Sequence, residues 1–267
     1  MTTEHPRHAD PARPRSLALT AAAVGIVAGL VAATFAFAVG EPRIDDAIAI
    51  EEASAASQPD VAADGHAHDH GEASVSRADQ RSFGLFGAYA LSGAAFGAIL
   101  ALTAHGLRRG HPDVVRRIVV SGVVLAGAFT VAPWLKYPPN PPAVGDPATI
   151  TERQWLYVAT IVVALAVGLL ATILHSRLQA AGWALHRRLA AVTAAVVGPM
   201  LVAFAVLPPP PDAVEVPATL VWDFRIASLG ANLLLWAVLT IGLAYVVGTR
   251  LASVERSAVP APAPSIG

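Results

Sequence analysis

The sequence predicts an all-α, polytopic membrane helix bundle of about six transmembrane helices, built from repeated helical hairpins. Three observations carry that prediction. Of 267 residues, 55% are hydrophobic and only 14% are charged, where soluble domains carry about a quarter charged residues. Six apolar runs each approach the ~20 residues that a helix needs to cross a bilayer. Arginines gather at alternate junctions between these runs, as they do on the cytoplasmic side of membranes. Cysteine is absent, which excludes disulfides and thiolate metal sites.

Residues 1–16 hold Arg7, Arg13 and Arg15 and read as a cytoplasmic tail, and residues 17–39 as transmembrane helix 1. Ala36-Phe37-Ala38 has the small-x-small form of a signal cleavage site, but the apolar run exceeds a secretory h-region, so the helix is expected to be retained. Gly25 and Gly29 stand four apart, as do Gly93 and Gly97 in the next helix; the spacing permits close helix approach and is common by chance. Residues 40–82 read as an outer acidic, histidine-bearing loop, largely disordered, with ten acids against three arginines from Glu41 to Arg81. A five-helix membrane bundle follows over 83–247, with spans at 83–104, 118–135, 155–174, 189–207 and 226–247. Arg108, Arg109, Arg116 and Arg117 lie in one inner connection and Arg177, Arg187 and Arg188 in the next. Arg250 and Arg256 open the tail 248–267, so both termini are expected in the cytoplasm of a multi-pass protein of the cell inner membrane.

Residues 139–150 (PNPPAVGDPATI) match 209–220 (PPPDAVEVPATL) at an offset of seventy, with seven identities in twelve. The third and fourth spans and the fifth and sixth then read as two parallel copies of one hairpin, with the first pair as a diverged third.

The chemistry concentrates in Gly65-His66-Ala67-His68-Asp69-His70-Gly71-Glu72. Imidazoles of His66, His68 and His70, with oxygen donors from Asp69 and Glu72, suit Co(II), Ni(II), Zn(II) or Cu(II), and ligand type does not choose among them. The alternative is that these residues only keep a flexible loop soluble. Ahead of each even-numbered span stands an acid with an arginine: Asp79 with Arg81, Glu152 with Arg153, Asp223 with Arg225. Around a common axis Asp79, Glu152 and Asp223 would ring an outer mouth for a cation; otherwise they are first-turn acids complementing helix dipoles. His105 and His111 are candidates for an inner exit or for headgroup contacts. Asn232, with Ser228 and Thr240 near it and Met200 beside Pro199, is the candidate polar site in the bundle, the alternative being a helix-helix hydrogen bond. The central spans hold no ionisable residue, which argues against a proton-coupled antiporter. No nucleotide-binding loop, nucleophile elbow or HExxH occurs, so no enzyme is expected.

The histidine-bearing loop after the first span, Ala132-Pro133-Trp134-Leu135 running into the prolines of 138–142, Arg153-Gln154-Trp155, and Phe224-Arg225-Ile226-Ala227-Ser228-Leu229 with Trp236 together resemble the CbtA family of probable cobalt transporter subunits. The resemblance covers 17–247. It implies cobalt uptake, often connected with vitamin B12 synthesis, beside a small one-span partner subunit carrying its own histidines, and a family architecture of five spans, one fewer than counted here. Under this reading the outer histidines capture the ion and the bundle admits it down the membrane potential, without a catalytic cofactor. The rival reading is a membrane metal-binding or assembly subunit that conducts nothing. A hydrolytic metal enzyme is a weaker third, because such enzymes hold their ligands on rigid elements.

Overall fold

The computed structural model describes residues 14–57, 76–109, 113–141, 147–211 and 216–258. Regular structure there is helical throughout, in six helices long and apolar enough to cross a membrane. Helix α1 comprises Pro14–Phe35, a π turn Ala36–Gly40, and Glu41–Ser57. Helix α2 comprises Arg77–Asp79, a π turn Gln80–Gly84, and Leu85–Gly106. Helix α3 comprises Val114–Ala126, a π turn Gly127–Val131, and Ala132–Lys136. Helices α4 (Ile150–Ala180), α5 (Leu185–Val206) and α6 (Ala218–Ala258) are uninterrupted.

Two of the π turns have a cause in the sequence. Pro42 and Pro133 each follow one closely, and a proline ring clashes with the carbonyl four residues back while offering no N–H to it. Those carbonyls belong to Ala38 and Phe129, inside the two π turns, where widening of the helix relieves the clash. In α3 the Phe129 carbonyl instead accepts the Tyr157 hydroxyl of α4 at 3.4 Å.

Helix α1 runs on to Ser57, and α2 begins at Arg77. The acidic segment read as irregular from residue 40 to 82 is therefore helical at both ends. Its alanines favour helix, and its acids find partners that a sequence window does not show: Glu41 and Asp45 of α1 face Arg77 and Arg81 of α2.

The α1–α2 hairpin is held by backbone contact. A Cβ on Gly25 would overlap the Gly93 carbonyl, one on Gly29 the Tyr89 carbonyl, and one on Gly97 the Ala21 carbonyl. The four-residue glycine spacing, weak as a sequence signal, is thus the contact itself. Small residues continue the seam, with Ala21, Ala28 and Ala32 fully buried. In a bilayer this close van der Waals packing replaces the hydrophobic driving force between helices.

Helix α6 lies against α1 and α3, burying Leu235, Leu239, Leu243 and Val247. Thr240 fills the notch left by Gly122 of α3. At one end Trp134 Nε1 donates to the Arg225 carbonyl at 2.9 Å, and at the other Arg250 Nη1 donates to Thr20 Oγ1 at 2.9 Å, so α6 is tied to α3 and to α1. Helix α4 packs on α3 and α5, whereas α5 packs chiefly on α4 and buries no residue. The repeated segments lead into α4 at Ile150 and α6 at Ala218, and these two helices go to different neighbours.

Candidate functional site

Three places in this architecture gather polar groups: the helix ends that flank residues 58–75, a cavity at one end of the bundle, and the middle of the bundle. The helix ends form a stem where α1 and α2 leave the hairpin. Arg77 Nη2 donates to Glu41 Oε2 at 2.5 Å and reaches Asp45 at 3.5 Å, while Arg81 Nη1 donates to Asp45 Oδ2 at 3.0 Å and approaches Glu41 at 3.9 Å. The Glu41 side chain is only 4% exposed, a burial that a carboxylate tolerates because two guanidiniums face it. Arg81 also lies 5.0 Å from the centroid of the Phe37 ring, a cation-π contact back to α1. Two acids and two arginines compensate each other, so this cluster clamps the stem and leaves no carboxylate for a metal.

The candidate ligands His66, His68, Asp69, His70 and Glu72 lie outside the described residues, as does His111. Among the described residues no three His, Asp or Glu side chains are grouped to hold a metal ion. Asp79 is engaged in capping: Ser76 Oγ donates to its carboxylate at 2.7 Å, and its own N–H donates back to Ser76 Oγ at 3.2 Å.

The first cavity, about 890 Å³, lies among the turn after α3, the start of α4 and the start of α6. Arg153, Arg225, Asn140, Tyr137 and Trp155 line it together with prolines that follow α3 and α5; Asp79, Glu152 and Asp223 are not among its lining residues. Arg225 donates to Asn140 Oδ1 at 2.7 Å and to the Pro139 carbonyl at 3.3 Å. On the same turn Lys136 Nζ donates to the Phe204 carbonyl and Tyr137 Oη to the Pro208 carbonyl, both at 2.8 Å. One short turn thus laces α3 to the ends of α5 and α6. Burial, with the Glu152 carboxylate adding to it, pushes the Tyr137 phenol above its ordinary value. Sequence reasoning missed Lys136, Tyr137 and Asn140 in this role; the run of prolines after Trp134 was their only signal.

At the other end, Arg108 Nη1 donates to His105 Nε2 at 2.7 Å. A guanidinium only donates, so this nitrogen is an acceptor and its lone pair is engaged. In the middle, Asn232 Nδ2 donates to the Ser228 carbonyl one turn back at 2.9 Å. The centre of the bundle is closed by aromatic rings. Trp236, 3% exposed, stacks at 4.9 Å on Phe96 of α2 and at 6.3 Å on Phe129 of α3. Its Nε1 donates to Thr130 Oγ1 at 3.1 Å, and Thr130 sits in the π turn of α3. Nearby in sequence, buried Ser121 has no hydrogen-bond partner for its Oγ among the described residues.

The described residues form a multi-span helical bundle with aromatic rings packed at its centre. No curated protein and no solved structure matches the chain. The family model for the probable cobalt transporter subunit (CbtA) matches residues 14–248, and the chain belongs to that family.

Proposed function

We propose that the chain is the membrane subunit of an uptake system for a divalent transition metal, cobalt first, whose loop His66, His68 and His70, with Asp69 and Glu72, captures the ion outside the cell. The observation that carries this reading is the stem. Residues 58–75, which hold the three histidines, leave and re-enter the bundle at a hairpin fixed by backbone contact and by the Glu41, Asp45, Arg77 and Arg81 cluster. Joining the two ends of a segment in advance removes part of the chain entropy that its ligands lose on gathering around an ion. The arginine bias supports placing that loop outside and both termini in the cytoplasm. Inward movement of a divalent ion is driven by the membrane potential, about 2.3 kcal/mol per charge per 100 mV. Asp79, Glu152 and Asp223 are given no part, because Asp79 caps α2 and the first cavity presents Arg153 and Arg225.

A second reading rests on the aromatic closure: Trp236, Phe96 and Phe129 fill the centre of the bundle, which favours a metal-binding subunit that hands its ion to a partner. The partner proposed for either scheme is a small single-span subunit carrying histidines. The test is uptake of radioactive Co(II) by cells lacking other cobalt importers, expressing the chain with or without that partner, wild type against H66A/H68A/H70A. Uptake that needs the chain and falls in the variant supports capture and transport. Binding of Co(II) by the purified chain with no uptake in any combination replaces transport by the second reading.

A further inference from the structure

A second cavity, of about 790 Å³, is a groove between α3, α4 and α5. Arg116 and His175 stand at one end, and Leu135 and Phe204 at the other. Arg116 and Leu135 are 19 positions apart on α3, about 28 Å at the helical rise, close to the ~30 Å of a hydrocarbon core. Apart from Thr172, the lining between those ends is apolar. At Gly127 no atom lies within 4 Å of where a Cβ would stand, leaving an open notch in the α3 wall.

The ends differ in charge. Arg116 is exposed, and its guanidinium has no acceptor among the described residues; only its backbone N–H is engaged, by Asp113. The first turns of α3 and α5 also hold Arg117, Arg187 and Arg188, so this is the inner side by the arginine rule. The lining of the opposite end is Val131, Ala132, Leu135, Met200, Leu201 and Phe204, and the nearby Lys136 ammonium is engaged by the Phe204 carbonyl. A membrane-height apolar groove with a guanidinium and an imidazole at its inner end is complementary to a molecule with acyl chains and a negative headgroup.

We propose that the groove binds an anionic phospholipid of the inner leaflet, its acyl chains against Val123, Gly127 and Val196 and its phosphate at Arg116 with His175 beside it. Helix α5 packs chiefly on α4 and meets α3 only around Met200, Phe204 and Lys136 at one end, and the lipid fills the space between them along the rest of the groove.

The test uses the full chain, delipidated in mild detergent and titrated with phosphatidylglycerol or phosphatidylcholine of matched chains, with bound lipid counted by native mass spectrometry. Wild type is expected to prefer phosphatidylglycerol by at least about fivefold, and R116Q/H175Q to bind both lipids alike, losing more affinity for phosphatidylglycerol than for phosphatidylcholine. A groove-filling V196W is expected to weaken both lipids, and inorganic phosphate at equal concentration to displace neither. Equal affinity of wild type for the two lipids, or a preference that survives in R116Q/H175Q, overturns the proposal. Displacement by inorganic phosphate would assign the site to a free anion and also overturn it. The chain has no cysteine, so a V196C variant labels one position; its crosslinking in membranes to a protein helix in place of lipid overturns the proposal as well.

Discussion

Gly93→Ala adds one carbon to α2 where that helix touches α1. Built on the existing backbone, the new Cβ overlaps the Gly25 carbonyl and stands 3.1 Å from the Gly29 nitrogen. Both neighbours are backbone, so no side chain can turn aside, and the helices must part until the carbon regains its ordinary ~3.5 Å contact. Overpacking of this kind costs about 1–3 kcal/mol. The comparison that isolates it is Gly87→Ala, on the same helix, where no atom lies within 4 Å of the added carbon. That change removes a glycine from a helix interior and is expected to stabilise by up to ~1 kcal/mol. The two alanines should therefore differ by about 1–4 kcal/mol in reversible SDS unfolding of the purified protein in mixed micelles. Because Gly25→Ala strains the same contact, the G25A/G93A double variant should lose less than the sum of the singles. Equal stability of G93A and G87A would refute the backbone-contact account of the hairpin.

Other perturbations read out the remaining ties. Glu41→Ala leaves Arg77 and Arg81 without their buried partner and should cost about 2–3 kcal/mol, whereas Asp45→Asn, at a side chain 45% exposed, should cost less than ~1 kcal/mol in the same assay. Trp236→Phe keeps most of the ring packing but strands Thr130 Oγ1, an expected loss of about 1 kcal/mol. Tyr157→Phe should cost up to ~1 kcal/mol in wild type and nothing in a P133A background, where the restored N–H of residue 133 takes over the Phe129 carbonyl; a double-mutant cycle measures the difference. The Tyr137 phenol is raised above its ordinary 10.0 in the folded state, so its contribution to stability is complete below pH 10 and declines as pH rises through the higher folded value. Stability against pH should therefore fall more steeply above pH 10 in wild type than in Y137F.

Six spanning helices and the family were legible from the residues alone. Each apolar run must satisfy its own backbone hydrogen bonds in hydrocarbon, so each announces itself as a helix independently of its neighbours. The histidine loop is legible only in the sequence, since its residues lie outside those described. Tertiary structure decided which faces meet. Lipid is as apolar as a protein interior, so no hydrophobic stripe separates the buried face of α6 from its exposed face, and its place against α1 and α3 is set by Gly122 admitting Thr240 and by the ring of Trp236. The same holds for the acids. Glu41 and Asp45 looked like part of a loose acidic loop because their partners, Arg77 and Arg81, are more than thirty residues away in sequence; only the pairing of α1 with α2 brings those charges together, and burial then makes the pairing obligatory for Glu41.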